Sequence, residues 1–449
     1  MSASADEAAG TRSYGRGAAI LSVGIGVTGL ITYAYFALAS HSLSKDDYGR
    51  ISLLWSAVFI VVSVLYRPVE QLLSRTIADR AARGQTGAEH LRVAATIQLG
   101  LGALFVVLAL VFRTKLEHDL FDGRTTLYWV LVVAVLAYAA SYFARGYLAG
   151  SRMFGLYGGL VFIESLARCM FALAVAIGIA SGANVTSMGI AAAPLLSLAV
   201  VPWALGRRIR ATAGMTGEDA AREAAALDAA GGEQGGEPEF TLAHGAGFAV
   251  AVLLIMLCEQ AIYNAGPLLI KATESPAAEA SALAGFAFNV LLIARAPLQL
   301  FQAVQTSILP HLTTLRATGE ADPFRRSVQV TVMAIALFAG AVGLALAALG
   351  PAIMHLAFGG NFDYARGGLV MVAAGMGLYL SAATLNQAAL AHAQAKQAAV
   401  AWVLTATAFL VWLLLPFDDR VLQLEAGYLG AAGLLCALLY GLYRRSLSA

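Results

Sequence analysis

Residues 291–315 read LLIARAPLQLFQAVQTSILPHLTTL, an apolar run that contains one arginine, Arg295. A charged side chain deep in a bilayer costs about 3 kcal/mol or more, so one that persists faces a protein interior or a watery cavity. Pro297 removes a backbone donor and tends to bend a membrane helix. Polar side chains recur at helical spacing beyond it, at Gln299, Gln302 and Gln305. The stretch therefore predicts a cavity wall rather than a lipid-facing helix.

The composition places the whole chain in a membrane. Its 449 residues are 59% hydrophobic and 12% charged, with a mean hydropathy of +0.73, whereas a soluble domain has about 25% charged residues. The net charge of +2 is too small to indicate a nucleic-acid partner. The cysteines stand singly in apolar runs and the histidines are not paired at metal-binding intervals, so neither a metal site nor another cofactor is predicted.

Apolar runs of about 20 residues, each long enough to cross a bilayer, recur along the chain. The first run ends in Ala-Leu-Ala like a signal-peptidase site, but it exceeds the roughly 7–15 residues of a signal peptide's apolar region and is expected to be retained. The prediction is an all-α membrane protein with twelve crossings: 17–40, 51–70, 92–112, 126–148, 158–181, 187–205, 244–270, 284–308, 328–349, 366–390, 397–415 and 425–443.

One long polar segment separates six crossings from six. Residues 206–243 begin with three arginines and continue with seven acidic residues among alanine and glycine, a composition that cannot bury a core. We therefore predict an N-terminal six-helix bundle over 1–205, a cytoplasmic, largely disordered linker over 206–243, and a C-terminal six-helix bundle over 244–449.

Basic residues predict the orientation. If the N-terminus is cytoplasmic, 18 of the 29 Lys and Arg residues fall on the inner side, eight on the outer side and three within helices. Because short cytoplasmic loops are enriched in these residues, both termini are predicted to be cytoplasmic. Arg145 belongs to the inner group in this count, and Arg50 and Lys271 belong to the outer group.

A weak internal repeat supports the division into two halves. The second crossing contains Arg67 followed by Pro68, and the eighth contains Arg295 followed by Pro297, each before a basic cytoplasmic loop. Since six crossings is an even number, both halves enter the membrane from the same side. This arrangement predicts a pseudo-twofold axis along the membrane normal, with a shared site between the halves.

Few ionisable side chains lie inside the predicted helices, and each is a candidate for a cavity. Arg67 with Glu70, and Glu164 with Arg168, have the spacing of neighbours on one helix face. Either pair can neutralise itself or take part in binding. The deeper pair, Glu164 with Arg168, is the one for which a cavity-facing role is favoured.

Glu259 and Arg295 have no partner within their own helices. If the turn between these helices centres near Pro276, they lie 17 residues before it and 19 after it, which at about 1.5 Å per residue is a similar depth. They are expected to face each other, either as a structural ion pair or as a site for a charged headgroup or a coupling ion. Asn264 and Asn289 add neutral polar groups on the same two helices.

No paired acids and no nucleophile motif occur in a sizeable external loop, so catalytic residues are not predicted and the chain is not expected to be an enzyme. Its segments 43–49 (LSKDDYG), 145–154 (RGYLAGSRMF), 164–168 (ESLAR) and 297–310 resemble, in order and placement, the bacterial polysaccharide flippases. These flippases belong to the multidrug/oligosaccharidyl-lipid/polysaccharide exporter superfamily.

The resemblance implies a multi-pass protein of the bacterial inner (plasma) membrane that moves a lipid-linked oligosaccharide or polysaccharide precursor by alternating access, often with ion coupling. It implies membrane lipids and a glycan polymerase or glycosyltransferases of the same pathway as partners. Charged cavity residues would hold the headgroup, with Arg295, Arg168 and Arg67 as cations and Glu164 and Glu259 as acids. Two alternatives remain: a drug/cation exporter of the same superfamily, and a membrane enzyme of glycan assembly.

Overall fold

The computed structural model describes residues 24, 26–82, 89–151, 153–199, 202, 242–295, 321–360 and 364–448, and these residues form helices and connections with no strand among them. The predicted all-α membrane fold is confirmed. Pro297 and the three glutamines that follow it lie outside the described residues, as does the predicted linker up to residue 241.

The helices of the N-terminal half follow one another through short connections. One connection contains a π-helical turn, Leu116–Leu120. The helices are α1 (26–42), α2 (Lys45–Leu65), α3 (Arg67–Ala82), α4 (Glu89–Val111), α5 (Thr125–Gly150), α6 (Phe154–Ala176) and α7 (Gly182–Ser197).

The helices of the C-terminal half include two that carry an internal proline, at Pro267 and Pro351. They are α8 (Leu242–Thr273), α9 (Ala277–Arg295), α10 (Ala321–Phe358), α11 (Arg366–Ala391), α12 (Ala395–Leu414) and α13 (Arg420–Ser448).

Ten helices of the described chain are long and apolar enough to cross a membrane, and α2 together with α3 forms one of them. Helix α7, with 16 residues, is shorter and overlaps the sixth predicted crossing, and the described part of α1 lies in the first. The largest difference in length is at α10, which has 38 residues. Its polar first turns, with Arg325 and Arg326, continue the helix beyond the apolar segment from which the crossing was predicted.

Burial separates the core helices from those that face lipid. In the apolar stretch of α11, 78% of the residues are buried, against 11% in α10. Helix α11 therefore lies at the centre of the C-terminal half, packed between α10 and α13. Helix α10 presents Val330, Leu337 and Leu344 at its surface, as expected for a helix bordered by lipid tails.

The two halves touch where α2 meets α9. A Cβ atom built on Gly49 would overlap the carbonyl of Ser281, and one built on Gly285 would lie 2.8 Å from the Gly49 Cα. The backbones can approach this closely because neither glycine has a side chain. We call this end of the molecule, where Gly49, Ser281 and Gly285 meet, the closed end.

Candidate functional site

A cavity of about 320 Å³ lies between the two halves. Its walls combine aromatic rings with charged and amide side chains. The lining residues are Thr28, Thr32, Tyr33, Trp55, Phe59, Ser63, Arg67, Glu70, Tyr142, Arg145, Tyr157, Val161, Glu259, Gln260, Tyr263, Asn264, Leu292 and Arg295. Five of the eight predicted site residues are among them: Arg67, Glu70, Glu259, Asn264 and Arg295.

Arg295 is held by polar atoms of α8. Its Nη2 donates hydrogen bonds to the Tyr263 carbonyl and, at 2.9 Å, to Oδ1 of Asn264. Its guanidinium carbon lies 5.0 Å from the centre of the Phe288 ring. Neutral acceptors fix the side chain here, so its positive charge is not cancelled by a contacting carboxylate.

Of the two alternatives for Glu259 and Arg295, the structural ion pair is not seen, since neither residue forms a salt bridge with any described residue. The guanidinium instead reaches Asn264, more than one helical turn beyond Glu259 on α8. The depth estimate brought both residues to the same cavity, but depth along a helix does not specify which face of the helix the side chain occupies.

Arg67 and Glu70 line the cavity from the N-terminal half, where the helix is interrupted at Tyr66, just before Pro68. They do not form a salt bridge with each other. Glu70 instead accepts a 3.0 Å hydrogen bond from the Tyr157 hydroxyl. Arg67 and Arg295, the two members of the proposed sequence repeat, thus face one cavity from opposite halves.

Glu164 joins two arginines in a buried network. Its carboxylate accepts hydrogen bonds from Arg145 at 2.6 Å, Ser141 at 3.1 Å and Arg168 at 3.2 Å. The pairing of Glu164 with Arg168 was expected from their spacing and is present. The cavity-facing position favoured for this pair is wrong, because both residues are buried behind the wall.

Arg168 supports that wall from behind. It donates a 2.8 Å hydrogen bond to the Tyr138 hydroxyl. Its guanidinium carbon lies 4.5 Å from the centre of the Trp55 ring, which lines the cavity. Arg168 therefore fixes lining residues and does not itself present a charge to the cavity.

Arg145 is the main lining residue that sequence reasoning missed. It was counted with a cytoplasmic loop, but it lies inside α5, only 9% exposed, and lines the cavity. A signal was present in the sequence, since Tyr138, Ser141, Tyr142 and Arg145 recur every three or four residues and so share one helix face. Ten polar or aromatic lining residues were likewise not anticipated: Thr28, Thr32, Tyr33, Trp55, Phe59, Ser63, Tyr142, Tyr157, Gln260 and Tyr263.

Asn289 does not line the cavity. It is fully buried at the closed end, where the hydroxyl of Tyr48 donates to its Oδ1 and its Nδ2 donates to the Tyr364 hydroxyl at 3.1 Å. Tyr48 belongs to the N-terminal half and Tyr364 to the C-terminal half. The predicted site residue Asn289 thus joins the two halves rather than the cavity wall.

A charged cluster also joins the halves at the closed end. Asp122, in the connection before α5, accepts from Arg50 at 2.9 Å, from Ser281 at 3.0 Å and from Lys271. The Lys271 side chain is only 2% exposed, although sequence analysis placed it in an outer loop. We call these four residues the Asp122 cluster.

The cluster favours ionised Asp122. Burial alone disfavours the carboxylate, but hydrogen bonds from Lys271, Arg50 and Ser281 outweigh burial and hold the pKa of Asp122 below its ordinary value of 3.8. Asp122 and Arg50 belong to the N-terminal half, whereas Lys271 and Ser281 belong to the C-terminal half. The cluster therefore links the halves electrostatically on one side of the cavity.

Comparison with known proteins supports the fold. Neither a protein-family profile nor a curated protein matches the sequence. The lipid II flippase MurJ in an inward closed conformation matches with a TM-score of 0.65 and 10% identity over 94% of this chain and 87% of that chain. A mutant of the Vibrio cholerae MATE transporter VcmN matches with a TM-score of 0.60 and 15% identity, over 97% and 98%.

An inward-facing multidrug resistance MATE family transporter of the MOP superfamily matches with a TM-score of 0.58 and 13% identity, over 96% of this chain and 98% of that chain. At these identities the likeness shows the fold alone. The chain shares the fold of these transporters. Drug exporters and a lipid flippase share this fold, so it does not single out a polysaccharide flippase family.

Proposed function

We propose that this chain is a flippase that moves a lipid-linked oligosaccharide or polysaccharide precursor across the bacterial inner membrane. Two bundles, 1–205 and 244–449, joined by the cytoplasmic linker 206–243, alternate access to the cavity between them. Glycosyltransferases or a glycan polymerase of the same pathway would supply or consume the cargo.

The observation that carries the proposal is the chemistry of the cavity wall. Three arginines line it, Arg67, Arg145 and Arg295. Arg145 pairs with Glu164, whereas Arg67 and Arg295 form no salt bridge with a described residue. Guanidinium groups bind phosphate oxygens in paired hydrogen bonds, and an anionic lipid headgroup supplies such oxygens. Arg295, whose hydrogen-bond acceptors are neutral, can therefore bind the negative charge of such a headgroup.

The aromatic residues support the glycan part of the cargo. Six rings line the cavity, those of Tyr33, Trp55, Phe59, Tyr142, Tyr157 and Tyr263. Aromatic side chains offer a large apolar face, and tyrosine and tryptophan add a polar edge. Sugars need both, since their C–H faces pack on rings while their hydroxyls take hydrogen bonds. The cavity, at about 320 Å³, would hold the headgroup while the lipid tail stays in the bilayer.

The Asp122 cluster supports alternating access. It holds the halves together at the end that the positive-inside distribution predicts to be external. In that orientation the cavity is closed to the outside and would be loaded from the cytoplasm. Release then requires the cluster to open. When the cluster opens, Arg50 still has two salt bridges within its own half, to Asp46 at 2.9 Å and to Asp47 at 2.8 Å.

A drug/cation exporter is the second candidate. It is favoured by Glu70 and Glu259, two cavity carboxylates that form no salt bridge with a described residue and would attract an organic cation. The two functions require opposite net charge in the cargo. A membrane enzyme of glycan assembly would instead change the lipid-linked sugar chemically.

Transport by the purified protein in liposomes separates these functions. The cargo is a lipid-linked oligosaccharide carrying a fluorescent sugar, and its arrival in the opposite leaflet is read with a membrane-impermeant quencher. We expect wild-type protein to move it intact, Arg295→Gln to slow it at least tenfold, and Arg113→Gln to leave the rate unchanged, because Arg113 pairs with Glu117 away from the cavity. Efflux of cationic dyes without lipid movement would contradict the proposal.

A further inference from the structure

Glu425 is a buried acid of the C-terminal half that the cavity does not use. It lies on α13, five residues after the helix begins at Arg420, and is 5% exposed. At about 1.5 Å per residue, this is about 7 Å along the helix from its start. Glu425 is not among the residues that line the cavity.

Its carboxylate occupies a space that exists only because residue 368 is glycine. A Cβ atom built on Gly368, in the first turn of α11, would overlap the carboxylate of Glu425. Leu369 and Leu424, the chain neighbours of these two residues, are both fully buried. Most of the acid's surface is therefore buried between α11 and α13.

No hydrogen bond or salt bridge reaches this carboxylate from the described residues. The nearest cation along α13 is Arg420, which is engaged by Glu274 at 2.6 Å. Arg366 lies at the exposed start of α11 and forms no salt bridge with Glu425. Among the described residues Glu425 thus has no counter-charge, unlike the buried Glu164, which pairs with Arg145 and Arg168.

The remaining titratable groups around Glu425 do not supply a positive charge. Asp419 lies just before α13 and caps it, accepting from the backbone amides of Val421 and Leu422. On α10, His355 lies against Gly360 rather than Gly368. On α12, Lys396 lies at the opposite end of the helix.

A buried carboxylate without a cation or a hydrogen-bond donor is unstable as an anion and becomes neutral by binding a proton. The negative charge of Asp419 acts in the same direction. The positive end of the α11 dipole favours the carboxylate anion, but this effect is smaller than that of burial. The backbone amides of the first turn of α11 do not hydrogen-bond the acid.

We propose that Glu425 is a proton-binding site. One carboxylate oxygen takes a proton from the solution at the closed end while α13 packs against Gly368, and releases it when the first turns of α13 move away from α11. No other bond forms or breaks. The site stands independently of the cargo, because it is separate from the cavity in which the cargo would bind.

Infrared spectroscopy of the full-length protein in lipid nanodiscs tests the site directly, since a protonated carboxyl has a carbonyl stretch distinct from that of a carboxylate. At neutral pH we expect wild-type protein to show a component of this band that is missing in Glu425→Gln, whatever Glu70 and Glu259 contribute to the rest of the band. Glu274→Gln is the matched control, because Glu274 lies at the same end of the molecule but is paired with Arg420; it should retain the band.

Gly368→Ala gives an independent readout. The added methyl group displaces the carboxyl towards water, so the band should vanish at a lower pH than in wild-type protein. If Glu425→Gln fails to fold, labelling of wild-type protein by a hydrophobic carbodiimide, which attacks protonated carboxyls, should modify Glu425 in preference to Glu274.

Three results would overturn the proposal. The first is a carboxyl band that persists unchanged in Glu425→Gln. The second is loss of the wild-type band on adding Na⁺ at constant pH, which would identify a metal-cation site. The third is carbodiimide labelling of Glu274 but not of Glu425.

Discussion

Replacing Asp122 with asparagine tests whether the Asp122 cluster holds the halves together. The substitution keeps the size of the side chain but removes the negative charge that faces Lys271 and Arg50. Since the Lys271 side chain is 2% exposed, its ammonium group is left in the interface without a counter-charge. The closed arrangement should lose stability relative to one in which water reaches Lys271.

The size of the effect follows from burial. Removing one partner of a buried ion pair costs about 3–5 kcal/mol. The lower limit applies here. Lys271 still donates a 2.8 Å hydrogen bond to the Ala277 carbonyl, and Arg50 still forms salt bridges with Asp46 and Asp47. About 3 kcal/mol shifts a two-state equilibrium by roughly a hundredfold.

Spin labels on either half report the shift. Asp119 and Glu279 are exposed near the closed end, one in each half, and the native cysteines, two of them buried, are first replaced. Double electron–electron resonance in nanodiscs should give a short distance in wild-type protein and an added longer distance in Asp122→Asn. Glu117→Gln is the control, because Glu117 pairs with Arg113 within its own half.

An unchanged distance distribution in Asp122→Asn would refute this reasoning. It would mean that Gly49, Gly285 and the hydrogen bonds of Asn289 hold the closed end without the charged cluster. A longer distance in both Asp122→Asn and Glu117→Gln would point to general loosening instead.

Three further predictions follow from the same contacts. The pKa of Asp122 in the folded protein is held below 3.8. The stability that ionised Asp122 gives to the closed end is therefore complete above pH 3.8 and is lost as the pH falls through the lower folded pKa. The spin-label distance should lengthen only on acidification below 3.8. Glu164→Gln leaves two buried arginines without their carboxylate, so the unfolding temperature in detergent should fall, at a cost of about 3 kcal/mol or more; an unchanged temperature would contradict the role of the network. Gly285→Val forces a side chain onto the Gly49 backbone and should separate the closed end, whereas Gly340→Val, with no atom within 4 Å of the added Cβ, should not.

The fold could be predicted from sequence because each crossing is set by local physics. An apolar run long enough to span a bilayer must be helical there, whatever packs against it. The sixth crossing was found in this way although its helix, α7, has only 16 residues. The boundaries of α10 could not be found, since polar residues extend that helix past its apolar segment.

The site was predictable only in part. A charged residue in a membrane helix is expected to be buried in protein or in a cavity, but the sequence does not show which of these surrounds it. Arg295 and Glu259 were expected at a similar depth and both line the cavity, but Asn264, not Glu259, contacts the guanidinium. Glu164 is likewise an acid within an apolar helix, yet it lies behind the wall. Lys271 was assigned to a loop because nothing local in the sequence shows that Asp122 approaches it.

The central claim is that the cavity arginines bind the anionic group of a lipid-linked glycan. Native mass spectrometry of the purified protein can compare one oligosaccharide carried on a lipid pyrophosphate with the same oligosaccharide on an uncharged lipid. A hydrogen bond to a charged group contributes about 1.5–3 kcal/mol, so the pyrophosphate form should bind about 10- to 100-fold more tightly, and Arg295→Gln should remove most of that preference. Equal affinity of the two lipids for wild-type protein would contradict the claim.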